Sequence, residues 1–318
     1  MDHVAYDEFG LFHENAAEYG LPFISPPTVR RVDVVVADGR RVSSLVWRPE
    51  IGQVEPEIVF LHGGAQNAHT WDTVSMAIGR SALAIDLPGH GHSDWRNDGM
   101  YAPAGLADDV AAVIESLAPR AGVVVGMSLG GITAMELATR HPFLVRRLVM
   151  VDITPGVDST KTKAVIDFVN GPQSFSSYES LLARTVEHNP TRTESSLRRG
   201  ILHNARQLPD GSWQWRYDRG SHARTAAEEA EAPPSVGPAF TAAESTNNPM
   251  WDHFGSIVCP IMLVRGSVSP VVDDADVAEA MRRQSSLRVE VVEGSGHSVQ
   301  GDRPLELAVL VNDFLGAG

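Results

Sequence analysis

A serine in a glycine-bracketed turn is the residue of this sequence best placed to act as a nucleophile. The segment Gly126-Met127-Ser128-Leu129-Gly130 follows the apolar run 123–125 and precedes a helix-like stretch. This Gly-x-Ser-x-Gly spacing between a buried strand and a helix is typical of a sharp turn that exposes a serine hydroxyl. Side chains in place of the flanking glycines would clash with the strand and helix. A Gly-rich turn with an idle serine has the same pattern, so other residues must support the chemistry.

Two further segments supply what a serine nucleophile needs. The strand-like run 58–61 ends in His62-Gly63-Gly64, a turn that can aim a backbone N–H at the point reached by the N–H of Leu129. The amides of Gly64 and Leu129 are therefore the predicted oxyanion hole. Near the end of the chain, the run 289–292 is followed by Gly294-Ser295-Gly296-His297-Ser298, which makes His297 the candidate general base.

The elements that must position these residues alternate between strand and helix. Two β-branched runs, 29–36 and 42–47, are joined by a turn containing Asp38-Gly39, which predicts a hairpin. Strands at 58–61, 82–86, 123–125, 148–152 and 261–264 follow, with helices at 106–117 and 129–140 between some of them. Near-continuous apolar strands separated by helices predict a parallel sheet covered on both faces. Ser128, Asp152 and His297 all follow strand ends, where such sheets bind ligands.

Composition excludes several classes of protein. The 318 residues carry 40 acidic and 26 basic side chains, a formal net charge of −14, which disfavours nucleic acid as a partner. No run of 18 apolar residues is present, so no integral membrane association is expected. The acidic N-terminus resembles no secretory signal, and the one cysteine, Cys259, fits a reducing cytoplasm, so the predicted localisation is cytoplasmic.

The motifs together resemble the α/β-hydrolase superfamily over nearly the whole chain. The landmarks are residues 62–71, 86–94, 126–131 and 294–298. The sequence around His62 and the segment 264–270 are especially similar to a group of actinobacterial carboxylesterases and to small bacterial esterases with a Gly-x-x-Ser-Pro loop. The resemblance implies an α/β fold with a mostly parallel, doubly wound, eight-stranded sheet and a cap inserted after the sixth strand. It also implies an esterase without a cofactor.

The catalytic acid is the main ambiguity of the site. Most members of the superfamily carry it after the seventh strand, where this chain has Ser269-Pro270 in place of the Ser-Asp of many relatives. Asp152, at the end of the sixth strand, is the preferred candidate, and it would leave Ser269 as an auxiliary hydrogen-bonding residue near His297. Asp273 and Asp274 remain alternatives, although both look like the N-terminal cap of the following helix.

The regular alternation is interrupted between the sixth and seventh strands. Residues 1–153 and 252–318 are predicted to form the core domain, and residues 154–251 a cap that is partly flexible around 223–248. The cap segment contains helix-like pieces at 178–187 and 195–205. Its Trp213-Gln214-Trp215 segment could face the pocket, whereas the other tryptophans are expected to pack. A short amphipathic helix is expected within residues 6–19.

These residues predict a serine hydrolase that cleaves carboxylic esters of small to medium acyl chains through an acyl-serine intermediate. Thioester, lactone and C–C bond hydrolysis use the same three residues and stay open, as does a ligand-binding member of the fold without turnover. No metal site is expected, because the histidines at 62, 69, 90 and 92 lack metal-ligand spacing on a helix.

Overall fold

A computed structural model describes residues 4, 6–48, 55–157, 160–219 and 248–316. One sheet of eight strands runs through its centre in the order β1-β2-β4-β3-β5-β6-β10-β11. The strands are β1 (Thr28–Val35), β2 (Arg41–Arg48), β3 (Ile58–Leu61), β4 (Ala82–Ile85), β5 (Val123–Met127), β6 (Leu148–Val151), β10 (Ile261–Gly266) and β11 (Arg288–Val292). Pairing is antiparallel for β1 with β2 and for β2 with β4, and parallel across the rest. The predicted hairpin and mostly parallel sheet are confirmed.

The central strands are buried because both faces of the sheet are covered. Every residue of β3, β4, β5 and β6 is buried, and two large apolar clusters lie on opposite faces. The helices of the core are α1 (Phe12–Tyr19), α2 (Asp72–Ile78), α3 (Pro103–Leu117), α4 (Leu129–Arg140), α8 (Met250–Ser256), α9 (Asp274–Arg283), α10 (Val299–Asp302) and α11 (Pro304–Gly316). The carboxyl ends of β3, β5, β6, β10 and β11 meet at one edge of the sheet, where the candidate site lies.

The N-terminal helix is present as expected from the pattern of its aromatic residues. Phe12 of α1 is buried, and its ring meets that of Trp47 edge-on at 5.1 Å between ring centroids. The segment therefore packs against the core domain. Within the part of the chain that the structure describes, no helix is long and apolar enough to cross a membrane.

The cap follows β6 and combines helices with a small sheet. Its helices are α5 (Lys163–Val169), α6 (Tyr178–Glu187) and α7 (Glu194–Asn204), and its strands are β7 (Ser174–Phe175), β8 (Ala205–Gln207) and β9 (Trp213–Trp215). Helices α6 and α7 match the predicted helical pieces. The antiparallel sheet, in the order β7-β9-β8, was not predicted from sequence. The stretch predicted to be flexible, 223–248, lies outside the described residues apart from Asn248.

Candidate active site

Ser128 occupies the strained turn between β5 and α4 that the sequence predicts. Its backbone angles are φ 51° and ψ −118°, and 8% of the residue is exposed. A Cβ on Gly126 would overlap the carbonyl of Gly130, and a Cβ on Gly130 would overlap the carbonyl of Leu61. The predicted steric need for both glycines is confirmed. Strain of this kind is characteristic of functional sites, because it holds a side chain where ordinary backbone geometry would not.

Asp152 and His297 are hydrogen-bonded to each other across the sheet edge. Asp152 directly follows β6, and its Oδ2 lies 2.8 Å from Nδ1 of His297. The aspartate is completely buried, and its Oδ1 accepts a hydrogen bond of 3.0 Å from the Gly266 N–H. Two fixed donors therefore hold the carboxylate in one orientation, and the bond to Nδ1 leaves Nε2 as the ring nitrogen that remains for a reacting group.

Ser269 is a third partner of the same carboxylate. Its hydroxyl lies 2.5 Å from Oδ2 of Asp152 and accepts a hydrogen bond of 3.2 Å from the Val271 N–H. Since that N–H occupies an acceptor position of Ser269, the hydroxyl proton is directed at Asp152. Ser269 thus stands beside the Asp152–His297 pair.

Asp273 and Asp274 lie at the start of α9 and have other partners. Asp273 caps the helix, accepting a hydrogen bond of 2.9 Å from the Asp276 N–H, and pairs with Lys161 at 2.9 Å. Asp274 is the first helical residue and pairs with Arg265 at 2.6 Å. Both residues therefore lie at the N-terminus of the helix, as their resemblance to a helix cap in the sequence indicates.

The turn after β3 carries Gly64 and approaches Ser128 at the neighbouring Gly63, where an added Cβ would lie 3.3 Å from Cβ of Ser128. The Gly63 N–H donates to Oε1 of Gln66 at 3.1 Å, and Ala65 has a positive φ of 57°. Gly64 lines the same cavity as Ser128. Leu129 is the first residue of α4, so its N–H has no partner within the helix. Among the described residues, the only non-glycine residues with positive φ are Ala65, Ser128 and Asp152, one in each of three loops around the site.

Gln66 connects the turn after β3 to the histidine loop, a contact that sequence reasoning missed. Its Nε2 donates to the Ser298 hydroxyl at 3.3 Å, and its Oε1 lies 3.4 Å from Nε2 of Gln300. A lone glutamine in a loop carries no recognisable signal, because its partners belong to a segment far away in the chain. These bonds fix the relative position of Gly63 and the residues after His297.

A cavity of about 380 Å³ opens in front of Ser128 and His297. Its floor comes from the loops at the sheet edge, and its roof comes from cap helices α5 and α7. The cap contributes four apolar side chains to the cavity lining, those of Val165, Phe168, Val169 and Trp215. Trp215 therefore faces the cavity, as the sequence allowed. Trp95 is not packed as expected, because 48% of the residue is exposed.

One of the histidines singled out above, His62, has a structural role. The ring of His62 is buried, and its Nε2 accepts a hydrogen bond of 2.9 Å from the Leu87 N–H. Burial, together with His90 nearby, lowers the pKa of His62 to about 3. His62 is therefore neutral, and its hydrogen bond holds the loop after β4 in place.

The single cysteine is not a candidate nucleophile. Burial raises the pKa of the Cys259 thiol to about 11, which makes it a poor nucleophile.

One group of side chains among the described residues has ligand atoms close enough to share a metal ion. It consists of His69, Asp72 and His203, whose ligand atoms lie within 4.8 Å of one another. His203 lies in the cap, far along the chain from His69 and Asp72. The spacing of His69 and Asp72 in the sequence therefore does not predict that His203 joins them. Burial opposes a charge on His69, but Asp72 and Glu8 raise its pKa to about 9.

The doubly wound sheet, the strained serine and the Asp–His pair define an esterase-type α/β hydrolase. The chain belongs to the Alpha/beta hydrolase family, whose sequence pattern matches residues 58–310. It is 42% identical to Esterase Rv0045c of Mycobacterium tuberculosis over 97% of this chain and 96% of that protein. The predicted family, fold class and esterase-type activity are confirmed.

Solved structures of that esterase are similar to this chain over its whole length. A crystal structure of the M. tuberculosis enzyme aligns with a TM-score of 0.80 at 41% identity, covering 99% of both chains. A second structure, described together with transition metal inhibition of that esterase, aligns with a TM-score of 0.79 at 41% identity, covering 98% of this chain and 99% of the other.

Proposed function

We propose that Ser128, His297 and Asp152 form a catalytic triad that cleaves carboxylic esters of small to medium acyl chains. The observation that carries the proposal is the 2.8 Å bond between Asp152 and His297, on the cavity that also contains the strained Ser128. A buried carboxylate on one ring nitrogen fixes the tautomer that leaves the other nitrogen able to accept a proton. The family membership and the esterase relative support the same chemistry.

In this proposal, Nε2 of His297 removes the proton of Ser128 as the hydroxyl oxygen attacks the ester carbonyl carbon. The amide N–H groups of Gly64 and Leu129 stabilise the oxyanion of the tetrahedral intermediate. The intermediate collapses, the C–O bond to the alcohol breaks, and His297 gives its proton to the leaving alcohol. A water molecule then gives a proton to His297 and attacks the acyl carbon. The bond to the Ser128 oxygen breaks, His297 returns the proton to Ser128, and the acid leaves. Asp152 holds His297 in place and stabilises its transient positive charge.

Ser269 is proposed as a positioning residue that acts through Asp152. Replacing it by alanine removes one of the hydrogen bonds to the buried carboxylate, and bonds to charged groups contribute roughly 1.5–3 kcal/mol. We expect Ser269→Ala to lower kcat of a p-nitrophenyl ester about tenfold, with little change in KM, because substrate is not contacted. Ser269→Thr keeps a hydroxyl and should recover most of the activity. A Ser269→Ala enzyme with wild-type kcat would refute this role.

The size of the cavity supports the proposed preference for short and medium acyl chains. At about 380 Å³ it lies near the lower end of the volumes usual for small-molecule sites. Phe168 of α5 is one of its largest apolar lining side chains. We propose that the apolar cap residues receive the acyl chain, while the alcohol leaves toward the solvent.

The acyl preference is tested with p-nitrophenyl esters from acetate to laurate. We expect kcat/KM to be lower for laurate than for the short and medium esters in the wild-type enzyme. Phe168→Ala should enlarge the cavity and shift the optimum to longer chains. The matched control is Phe143→Ala, because Phe143 is 95% exposed and does not line the cavity. An unchanged chain-length profile for Phe168→Ala would contradict the proposed acyl site.

Thioesters and lactones test whether the site is restricted to oxygen esters. All of these substrates would pass through the same acyl-serine, so the proposal requires that replacement of Ser128 abolishes every activity observed.

We also propose that residues 154–251 form the cap and that the protein acts in the cytoplasm without a cofactor. The single cysteine is consistent with that compartment.

We further propose that transition metal ions inhibit this esterase, as is described for the M. tuberculosis relative. Titration of Zn²⁺ into an assay of p-nitrophenyl acetate hydrolysis should lower the rate, and a chelator should restore it. A rate that does not change with Zn²⁺ would refute this proposal while leaving ester hydrolysis by Ser128 intact.

A further inference from the structure

A buried group of polar residues joins the core to the cap on the wall of the substrate cavity. We call it the His69 cluster; it consists of His69, Asp72 and His203. His69 lies in the turn before α2, Asp72 begins α2, and His203 is in the last turn of cap helix α7. All three are more than nine-tenths buried, and all three line the cavity that contains Ser128.

Two polar atoms of the His69 cluster have no hydrogen-bond partner among the described residues. They are Oδ1 of Asp72 and Nε2 of His203. Buried polar atoms are nearly always paired, because leaving them unpaired loses the hydrogen bonds they would make with water. The unpaired Nε2 of His203 lies 3.8 Å from Oδ2 of Asp72, and a cation between a carboxylate oxygen and a deprotonated imidazole nitrogen would satisfy both.

The three ligand atoms lie within 4.8 Å of one another, close to the spacing around a small tetrahedral ion. Oδ2 of Asp72 lies 2.9 Å from Nδ1 of His69 and 3.8 Å from Nε2 of His203. Ligand atoms about 2.0–2.1 Å from a tetrahedral zinc ion are roughly 3.3 Å apart, between these two distances. The two imidazole rings are stacked at 3.8 Å and 8°, so they must tilt for both lone pairs to meet at one ion.

The other ring nitrogen of each histidine has a hydrogen-bond partner of the kind that usually accompanies a metal-bound histidine. Nε2 of His69 lies 3.2 Å from Oε1 of Glu8, and Nδ1 of His203 lies 2.8 Å from the hydroxyl of Tyr6. Metal-bound histidines usually donate their other ring N–H to such an acceptor, which orients the ring toward the ion. Tyr6 and Glu8 therefore give both imidazoles the outer contacts that a metal centre requires.

We propose that the His69 cluster binds one divalent transition metal ion of the Zn²⁺ class through His69, Asp72 and His203. Two imidazoles and one carboxylate are a donor set suited to zinc and similar ions, and water from the cavity that all three residues line can fill the fourth position. The ion replaces the proton shared between His69 and Asp72, which is released to solvent. Bound there, it links cap helix α7 to the core. This binding requires no turnover and goes beyond the proposed ester hydrolysis.

Zinc binding is measured by calorimetric titration of ZnCl₂ into the full-length protein without substrate. We expect one site per chain in the wild-type protein. His203→Phe keeps the aromatic stack but removes a ligand nitrogen, and Asp72→Asn removes the charge at nearly constant size. Loss of an outer contact alone weakens metal sites roughly 10–100-fold, so each of these variants should bind zinc at least about 100-fold more weakly.

Two control variants separate this cluster from the other histidines of the cavity. His188→Phe removes another cavity-lining histidine, and His297→Ala removes the proposed general base. Both should bind zinc as the wild-type protein does. The proposal is overturned if the wild-type protein binds no zinc, if His203→Phe and Asp72→Asn bind it normally, or if binding is lost in His297→Ala instead.

X-ray absorption of the wild-type zinc complex gives a test that depends on no variant. The proposed site requires scattering from two imidazoles at about 2.0–2.1 Å from the ion, together with oxygen ligands. A spectrum with a single imidazole would place the ion elsewhere and refute the proposal. Failure of the ester-hydrolysis proposal would leave both measurements unaffected, because neither uses a substrate.

Discussion

Ser128→Ala is expected to lower kcat for a p-nitrophenyl ester by roughly 10⁴–10⁶-fold while leaving the protein folded. Loss of the nucleophile in comparable triads has effects of up to about 10⁶-fold, and the residual rate comes from the oxyanion hole and substrate binding. Alanine at this position keeps the same strained backbone, so the difference is confined to one hydroxyl group. The rates are measured at saturating ester, with thermal unfolding as a check of the fold.

The control for this variant is a serine that is buried but does not line the cavity. Ser75 of α2 is buried, and it does not line the cavity. Ser75→Ala should therefore retain the rate of the wild-type enzyme. Ester hydrolysis by Ser128→Ala within tenfold of wild type would mean that another residue, or water alone, attacks the ester.

The second large effect is expected for the acid. Asp152→Asn should lower kcat by about 10⁴-fold, the scale seen when a triad aspartate is converted to its amide. The amide keeps the size of the side chain but removes the negative charge that stabilises the protonated His297. It also presents an NH₂ group that favours the wrong tautomer of the imidazole. KM should change far less than kcat.

Asp273→Asn and Asp274→Asn are the matched controls for the acid. Asparagine caps helices about as well as aspartate, so α9 should remain intact in the Asp273 variant. We expect both control variants to hydrolyse esters within a few-fold of wild type. A loss of activity in either that equals the loss in Asp152→Asn would assign the acid to the loop after β10.

The strands, the helices and the turn at Ser128 could be predicted because their signals are local. Strand β3 and helices α4 and α6 have the bounds that the apolar runs and flanking turn residues indicate. The turn at Ser128 is likewise specified by its own glycines. The position of Asp152 followed from the ends of neighbouring parallel strands, which meet at one edge whatever the details of packing.

The small cap sheet and the contacts between distant loops could not be predicted in this way. Strands β7, β8 and β9 have two or three residues each, too few for an alternating pattern to be recognised. Gln66 meets Ser298, and His69 stacks on His203, only after the chain has folded. Such contacts depend on tertiary packing, and no feature of either residue's neighbours in sequence indicates the partner.

We expect Ser128 to be the nucleophile that attacks the ester, and labelling with a fluorophosphonate, which phosphonylates an activated serine, tests this expectation. The wild-type protein is treated with the probe, activity is followed with p-nitrophenyl acetate, and the modified peptide is identified by mass spectrometry. We expect one adduct per chain, on Ser128, with activity lost in proportion to labelling, and no adduct in Ser128→Ala. Complete labelling with full activity, or an adduct on a different residue that accompanies the loss of activity, would contradict it.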